Sequence, residues 1–327
     1  MSINFSVIIP TYNRWSSLKE TIQSLLEQDY AAANYEIIVV DDGSFDETKQ
    51  EICKLIKKNL NFKYLRQKNL GQGLARNLGA AKASREIIAF IDSDALADKE
   101  WLRKAAQQFL DNPKLIGLEG KIVKTKTKTT VWAHEFDNLT GGLYQTCNLF
   151  LRLEIFQKIK GFYPNFSGPY LFREDSDLFF SLLDAGYTTT DIPFASEVIV
   201  YHPPREDSPL AIINREKRYQ WDPLLYKRHP SLYRKHIGSP LDGPANTTII
   251  SSLLIFFNLL YHNNTLALLV LLLFCLVHLF EMLKKTQGKR TTIKDLLLLY
   301  VLSFIARFIK IGYILYGNIK HKTFIWW

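Results

Sequence analysis

Two carboxylates two residues apart, Asp92 and Asp94 on either side of Ser93, follow the apolar run 87–91. Such a pair offers hard oxygen ligands to Mg2+ or Mn2+. Taken alone, it is more often a turn or a cap for the segment that starts near Lys99. Asp41-Asp42-Gly43-Ser44 ends another apolar run. Carboxylate oxygens beside a tight glycine turn can accept the imide N–H of a uracil-type base; a plain turn with Ser44 or Asp46 capping the next helix is the alternative. Tyr12 can stack on a base or sit as a half-buried loop aromatic.

Glu174 and Asp175 precede an amphipathic pattern, 176–186, that predicts a helix. The helix N-terminus favours an ionised carboxylate there. An Asp so placed can take the proton of an attacking hydroxyl, as sugar transfer to an alcohol requires, and helix capping alone would also account for it. His202 follows the run 198–201, where a neutral imidazole can complete a metal site begun by Asp94. The glycine-rich stretch 71–79 looks like a phosphate-cradling turn that opens a helix, but lacks the lysine of a P-loop. Arg76, one turn in, can reach a phosphate or a carboxylate, or form a surface salt bridge.

These residues need a frame. β-rich runs at 5–9, 36–40, 62–65 and 87–91 alternate with helical spacing at Leu18, Ile22, Leu25 and Leu26, at Ile52, Leu55 and Ile56, and at Leu74, Leu78 and Ala81. Strand–helix alternation predicts an α/β fold with a mostly parallel sheet covered on both faces. Ligands of such sheets bind beyond the carboxyl ends of the strands, so the clusters at 10–14, 41–44 and 92–94 are expected on one rim. The stretch 121–170, with its Lys/Thr run at 121–130 and several glycines, reads as loops and edge strands.

The chain has 327 residues and a net charge of +9, with its cations dispersed and densest near the apolar C-terminal segments. Dispersed charge argues against nucleic acid and for an anionic membrane surface and a diphosphate ligand. Cys53, Cys147 and Cys275 are too few and too scattered for a disulfide framework or a zinc site. Residues 1–10 lack the pattern of a cleavable signal, so the catalytic part is expected in the cytosol, at the plasma or inner membrane. After Asn246 the apolar stretches 249–261 and 266–280 flank His262-Asn263-Asn264. As one helix, 249–283 would run about 50 Å at about 1.5 Å per residue, against a hydrocarbon core of about 30 Å, so a membrane hairpin is expected. Lys284, Lys285, Lys289, Arg290 and Lys294 then return the chain to the cytosol. The third stretch, 296–316, carries Arg307 and Lys310 and reads as an interfacial or partly inserted helix.

In order and spacing the motifs together resemble the family 2 glycosyltransferases of the GT-A fold, over roughly residues 3–230. The match rests on Val7-Ile8-Ile9-Pro10-Thr11-Tyr12-Asn13-Arg14, Asp41-Asp42-Gly43-Ser44, Ala75-Arg76-Asn77 and Asp92-Ser93-Asp94, then Cys147-Asn148 with Gly161-Phe162, Glu174-Asp175-Ser176-Asp177-Leu178 and Tyr201-His202. The resemblance implies a domain over 1–230, with a nucleotide-binding half (1–120) and an acceptor half (121–230). A linker (231–247), a hairpin (248–283), a basic loop (284–295) and a C-terminal helix with tail (296–327) follow. It also implies a nucleotide-sugar donor, UDP-linked by preference, held by Pro10, Tyr12, Asp41, Asp42, Arg76, Asp92 and Ser93. Asp94 and His202 are implied as ligands of Mn2+ or Mg2+, Asp175 as general base, Glu174 and Asn148 on the acceptor side, and Arg215 and Arg218, with Lys217 between them, as contacts of the diphosphate or of a lipid phosphate.

The implied reaction is an inverting single displacement on a hydroxyl of a lipid-linked or other glycan acceptor in cell-surface glycan synthesis. Arg218-Tyr219-Gln220-Trp221 departs from the Gln-x-x-Arg-Trp of processive family members, which favours transfer of one sugar. A polyprenyl-phosphate glycosyltransferase is the nearer alternative. A sugar nucleotidyltransferase would carry a glycine-rich basic loop after the first strand, where Pro10-Thr11-Tyr12-Asn13 stands.

Overall fold

The computed structural model describes residues 2–56, 61–125, 128–168, 170–262 and 264–325. Lys126 and Thr127 of the Lys/Thr run, and Asn263 of the hairpin turn, lie outside them. The chain forms two compact units, Met1–Thr125 with Glu135–Pro204, and Lys126–His134 with Arg205–Trp327.

In chain order the first unit holds β1 (Phe5–Thr11), α1 (Trp15–Leu26), β2 (Tyr35–Asp41), α2 (Thr48–Ile56), β3 (Phe62–Arg66), α3 (Gln72–Ala81), β4 (Ile87–Phe90), β5 (Leu96–Ala97), α4 (Trp101–Asp111) and β6 (Gly117–Lys124). The short β7 (Ala133–His134) belongs to the second unit, and the first resumes with β8 (Leu149–Arg152), α5 (Leu153–Lys158), α6 (Glu174–Asp184) and β9 (Phe194–His202). The sheet has eight strands in the order β3-β2-β1-β4-β8-β6-β9-β5. Every residue of β1, β2 and β4 is buried, which is why these strands read as mainly apolar runs rather than alternating ones.

Strands β3, β2, β1 and β4 are parallel, with Thr11 opposite Asp41 and Asp41 opposite Arg66. The carboxyl ends of β1, β2 and β3 therefore finish level, and the chain leaves β1, β2 and β4 through the three predicted clusters. Helix α3 lies close on this half-sheet because Gly79 has no side chain: a Cβ there would stand 2.5 Å from Ile8 Cγ2.

Two expectations are corrected. Strands β6 and β8 are not edge strands: β8 pairs antiparallel with both β4 and β6, and β6 lies between β8 and β9. The Lys/Thr run and the glycines argue for loops, but the sheet here buries polar groups such as Glu119 and Asn148 with partners supplied from elsewhere in the chain. Helix α6 begins at Glu174, not Ser176, so the acidic pair sits in its first turn; Arg173, in the left-handed conformation at φ 75°, turns the chain into it.

The second unit pairs β7 with β10 (Arg205–Glu206) and continues through α7 (Ala211–Glu216), a 3-10 turn over Lys217–Trp221, α8 (Asp222–Arg228) and α9 (Pro230–His236). Three helices follow, α10 (Gly243–Leu260), α11 (Asn264–Thr286) and α12 (Ile293–His321), each long and apolar enough to cross a membrane. Helices α10 and α11 pack on each other, and His262 takes a positive φ of 55° at the turn. Helix α12 starts with a capping box in which Thr292 and Asp295 satisfy each other's backbone N–H.

Candidate active site

The rim of the parallel half-sheet is laced before any ligand is considered. Asp42 N donates to Thr11 O at 2.8 Å, Asn13 N to Ser44 Oγ at 2.8 Å, and Phe45 N to Asn13 Oδ1 at 2.8 Å. Asp41 is enclosed: one oxygen accepts from Ser44 N (2.7 Å) and the other from the Tyr64 hydroxyl (2.6 Å). Burial and the Asp41 carboxylate hold the Tyr64 phenol far above its ordinary range. Asp42 braces the next loop, its Oδ1 accepting from Gln67 Nε2 (2.7 Å) and Leu70 N (2.9 Å) and its Oδ2 from Gly71 N (2.8 Å). That brace sets the start of α3.

A cleft of about 250 Å3 opens here between Pro10, Tyr12, Arg14, Asp42, Gln72 and Ser93. Tyr12 is exposed and stands edge-on to Phe45 with ring centroids 6.1 Å apart. An exposed aromatic pair beside an acidic turn is suited to a nucleobase.

Arg76 is only 1% exposed, and its Nη2 meets Asp92 Oδ1 at 2.6 Å. Burial alone would lower the guanidinium, yet the carboxylates of Asp92, Asp175 and Glu174 around it hold it above its ordinary value. One buried cation thus serves three acids. Glu174 accepts from Gln72 Nε2. Burial, with Asp175 beside it, pushes Glu174 up to about 7, against the opposing pull of Gln72 and Arg76. Burial also raises Asp175, while Arg76 and the Thr146 hydroxyl, which donates to Asp175 Oδ1 at 2.7 Å, pull it down.

Asp94 gives one oxygen to Arg14 Nη1 at 2.7 Å and places the other 3.6 Å from His202 Nε2. His202 Nδ1 is buried without a hydrogen-bond partner. Ligand atoms of Asp92, Cys147 and His202 also lie within 4.8 Å of one another. Burial holds the Cys147 thiol well above its ordinary value, so it is protonated and a poor ligand for a hard cation. Carboxylate oxygen and imidazole nitrogen fit Mn2+ or Mg2+, and Asp94 already accepts a positive group.

The structure thus gathers Pro10, Tyr12, Asp42, Arg76, Asp92, Ser93, Asp94, Glu174, Asp175 and His202 within the first unit, by the contacts above. It does not bring Asn148 to the rim: fully buried, its Oδ1 accepts from Trp101 Nε1 (2.9 Å) and its Nδ2 donates to the carbonyls of Lys121 and Val198 (both 2.9 Å). Arg215 and Arg218 belong to the second unit, where Arg218 Nε donates to Arg215 O at 3.1 Å. Sequence reasoning missed Arg14, Gln72 and Thr146 as partners of the acids. The first two stand inside quoted motifs and were within reach; Thr146 carries no signal beyond its place next to Cys147.

Residues 6–179 match the model described as glycosyl transferase family 2. The glycosyltransferase AglE of Haloferax volcanii is 30% identical over 216 residues, 61% of this chain and 67% of that protein. The poly(ribitol-phosphate) beta-N-acetylglucosaminyltransferase TarS of Staphylococcus aureus is 40% identical over 110 residues, 33% of this chain but only 19% of its own length. Among solved structures, the mannosyltransferase PcManGT of Pyrobaculum calidifontis, in complex with GDP-Man and Mn2+, superposes with a TM-score of 0.58 at 17% identity, over 98% of this chain and 88% of that one. TarS residues 1–349 with UDP-GlcNAc give 0.52 at 19% identity, over 98% and 93%. Identities this low speak for the fold, which is GT-A.

Proposed function

This chain belongs to glycosyl transferase family 2, and on that premise we propose that it moves one sugar, with inversion, from a nucleotide-diphosphate sugar to a hydroxyl of a membrane-associated glycan acceptor. The observation that carries the reading is the acidic pair at the head of α6. Asp175 is oriented by Thr146 and faces the field of a buried arginine that also holds Asp92. In the proposed reaction the acceptor oxygen attacks the anomeric carbon and gives its proton to Asp175, while the bond to the diphosphate breaks and the nucleoside diphosphate departs.

Pro10, Tyr12 and Asp42 would hold the nucleoside, a uridine by preference. Asp92 and Ser93 would position the ribose and sugar, with Arg76 holding the Asp92 carboxylate in place. Asp94 and His202 would hold Mn2+ or Mg2+, which when bound supplies neutralising charge to the leaving diphosphate. Glu174, pushed up to about 7 and so only partly ionised at neutral pH, would set less than a full second charge beside the base. TarS and PcManGT, crystallised with UDP-GlcNAc and GDP-Man, favour a nucleotide-sugar donor. The membrane acceptor is supported by three helices apolar enough to enter a bilayer, and the cytosolic side of the catalytic unit by the cations after α11.

The test uses the full chain in detergent with a panel of UDP- and GDP-sugars, with and without Mn2+. Metal-dependent release of a nucleoside diphosphate, lost in Asp94→Asn and reduced at least about 100-fold in Asp175→Asn, is the expected result. Near-intact turnover in Asp175→Asn would favour an acceptor that needs no base, a polyprenyl phosphate. Pyrophosphate release from a sugar phosphate and a nucleoside triphosphate would defeat the transferase reading.

A further inference from the structure

The second unit contains a cavity of about 370 Å3 at the open end of the α10–α11 hairpin. It is bounded by the start of α10 (Asp242, Pro244), the end of α11 (Met282, Lys285), α7 (Ile212, Arg215) and the middle of α12 (Leu299, Arg307). This is where the helices would leave the bilayer, since Asp242 caps α10 and Lys284 and Lys285 end α11. One wall is apolar, made by Ile212, Met282 and Leu299. The other is cationic and partly unsatisfied: Arg307 is 9% exposed, gives Nη2 to Glu281, and leaves its buried Nη1 without a hydrogen-bond partner, as Arg215 leaves Nε.

The acids present do not cancel this. Lys310, 4% exposed, is held by Asp242 at 2.8 Å, Glu281 is engaged by Arg307, and Asp207 stands 3.8 Å from Arg215 Nη2 while Arg215 Nε keeps no hydrogen-bond partner. Glu216 also faces the cavity, and burial pushes its carboxyl up, which lowers the negative charge set against an incoming anion. Guanidinium groups with free N–H donors, beside an apolar wall at the membrane boundary, suit a phosphate that carries a hydrocarbon chain.

We propose that this cavity is a lipid-phosphate site, in which Arg215, Lys285 and Arg307 bind the phosphate of a membrane lipid while Ile212, Met282 and Leu299 cover the first carbons of its chain. It rests on the reading of the acceptor as membrane-associated and gives that acceptor an anchoring point outside the catalytic unit. The phosphate has two possible sources, the lipid carrier of the acceptor or a bulk anionic phospholipid.

Native mass spectrometry of the full chain in detergent, titrated with a polyprenyl phosphate, phosphatidylglycerol, diacylglycerol or inorganic phosphate, separates the cases. Expected is one tightly held lipid phosphate, weakened about tenfold or more by Arg215→Gln with Lys285→Gln. A preference for the polyprenyl phosphate assigns the carrier, and equal affinity for phosphatidylglycerol assigns bulk lipid. Binding that the double variant leaves intact, or that diacylglycerol or inorganic phosphate matches, overturns the site. Arg307→Lys, which keeps the charge beside Glu281, is a second variant less exposed to misfolding and should weaken the lipid in the same direction. Nucleotide-sugar hydrolysis without lipid reports on the catalytic reading alone, so either claim can fail while the other stands.

Discussion

At the scale of single residues, the acids of the first unit divide by their surroundings. Asp175 is raised, by burial first, yet Thr146 and Arg76 favour its ionised form. If it is the base, the acid limb of the pH–rate profile must lie above the ordinary carboxylate range. Thr146→Val removes the donated O–H and should move that limb further up, with turnover lost on the acid side and recovered at higher pH; a profile that Thr146→Val leaves in place removes Asp175 from the role. Glu174 behaves differently. With its folded value near 7 against an ordinary 4.5, folding favours its protonated form, so its stabilisation is full below about 4.5 and is lost as pH rises to about 7. Glu174→Gln keeps an acceptor for Gln72 and abolishes that loss. The variant should match the parent near pH 4 and exceed it near pH 8 by up to about 3 kcal/mol, read as a growing gap in thermal midpoints. A gap that does not vary with pH contradicts the argument. Both acids were legible from sequence because they stand in a tight acidic run before an apolar pattern; their unequal surroundings were not, since Thr146 and Arg76 arrive from far along the chain.

At the scale of elements, legibility follows how a residue is buried. Strands β1, β2 and β4 are buried throughout and mainly apolar, and they read directly. The stretch that holds the second half of β6 and all of β8 reads as loops and edge strands because of its Lys/Thr run and its glycines. Glu119 is in fact buried and accepts from Asn138 Nδ2 (2.7 Å) and from the backbone N–H of Gly142 (2.7 Å), Leu143 (2.9 Å) and Tyr144 (2.6 Å). One carboxylate in the sheet organises the loop that leads to Thr146. Such a group cannot be told from a surface glutamate by local pattern, because its partners are 19 to 25 residues away. Glu119→Ala leaves these donors without their acceptor, at a cost on the order of 3 kcal/mol or more. Hydrogen exchange should show protection lost first at residues 142–144, and unchanged protection there would show that another group organises the loop.

At the scale of the whole molecule, the question is how the second unit meets the membrane. Helix α10 has 18 residues and α11 has 23, about 27 and 35 Å, enough for a hydrocarbon core of about 30 Å. Helix α12 is longer, yet it does not run beside them to its end. Tyr300 O meets His278 and Arg307 meets Glu281, but Lys310 then reaches Asp242 and lies 3.9 Å from the centre of the Tyr219 ring. Past that point Gly317 packs on Gln220, Lys320 lies 4.2 Å from the centre of the Trp221 ring, and Lys227 donates to His321 O at 2.9 Å. The second half of α12 is therefore clothed by a segment carrying Lys217, Arg218, Lys227 and Arg228, which hydrocarbon would not admit. An interfacial α12 satisfies this packing and also keeps Lys320 and Lys322 on the same side as Lys289. With the three native cysteines replaced, an impermeant maleimide on intact cells should label His262→Cys. Lys289→Cys and Lys322→Cys should react only after permeabilisation. Labelling of Lys322→Cys in intact cells would mean that α12 crosses, and that the contacts from Lys310 to His321 are made differently in the bilayer.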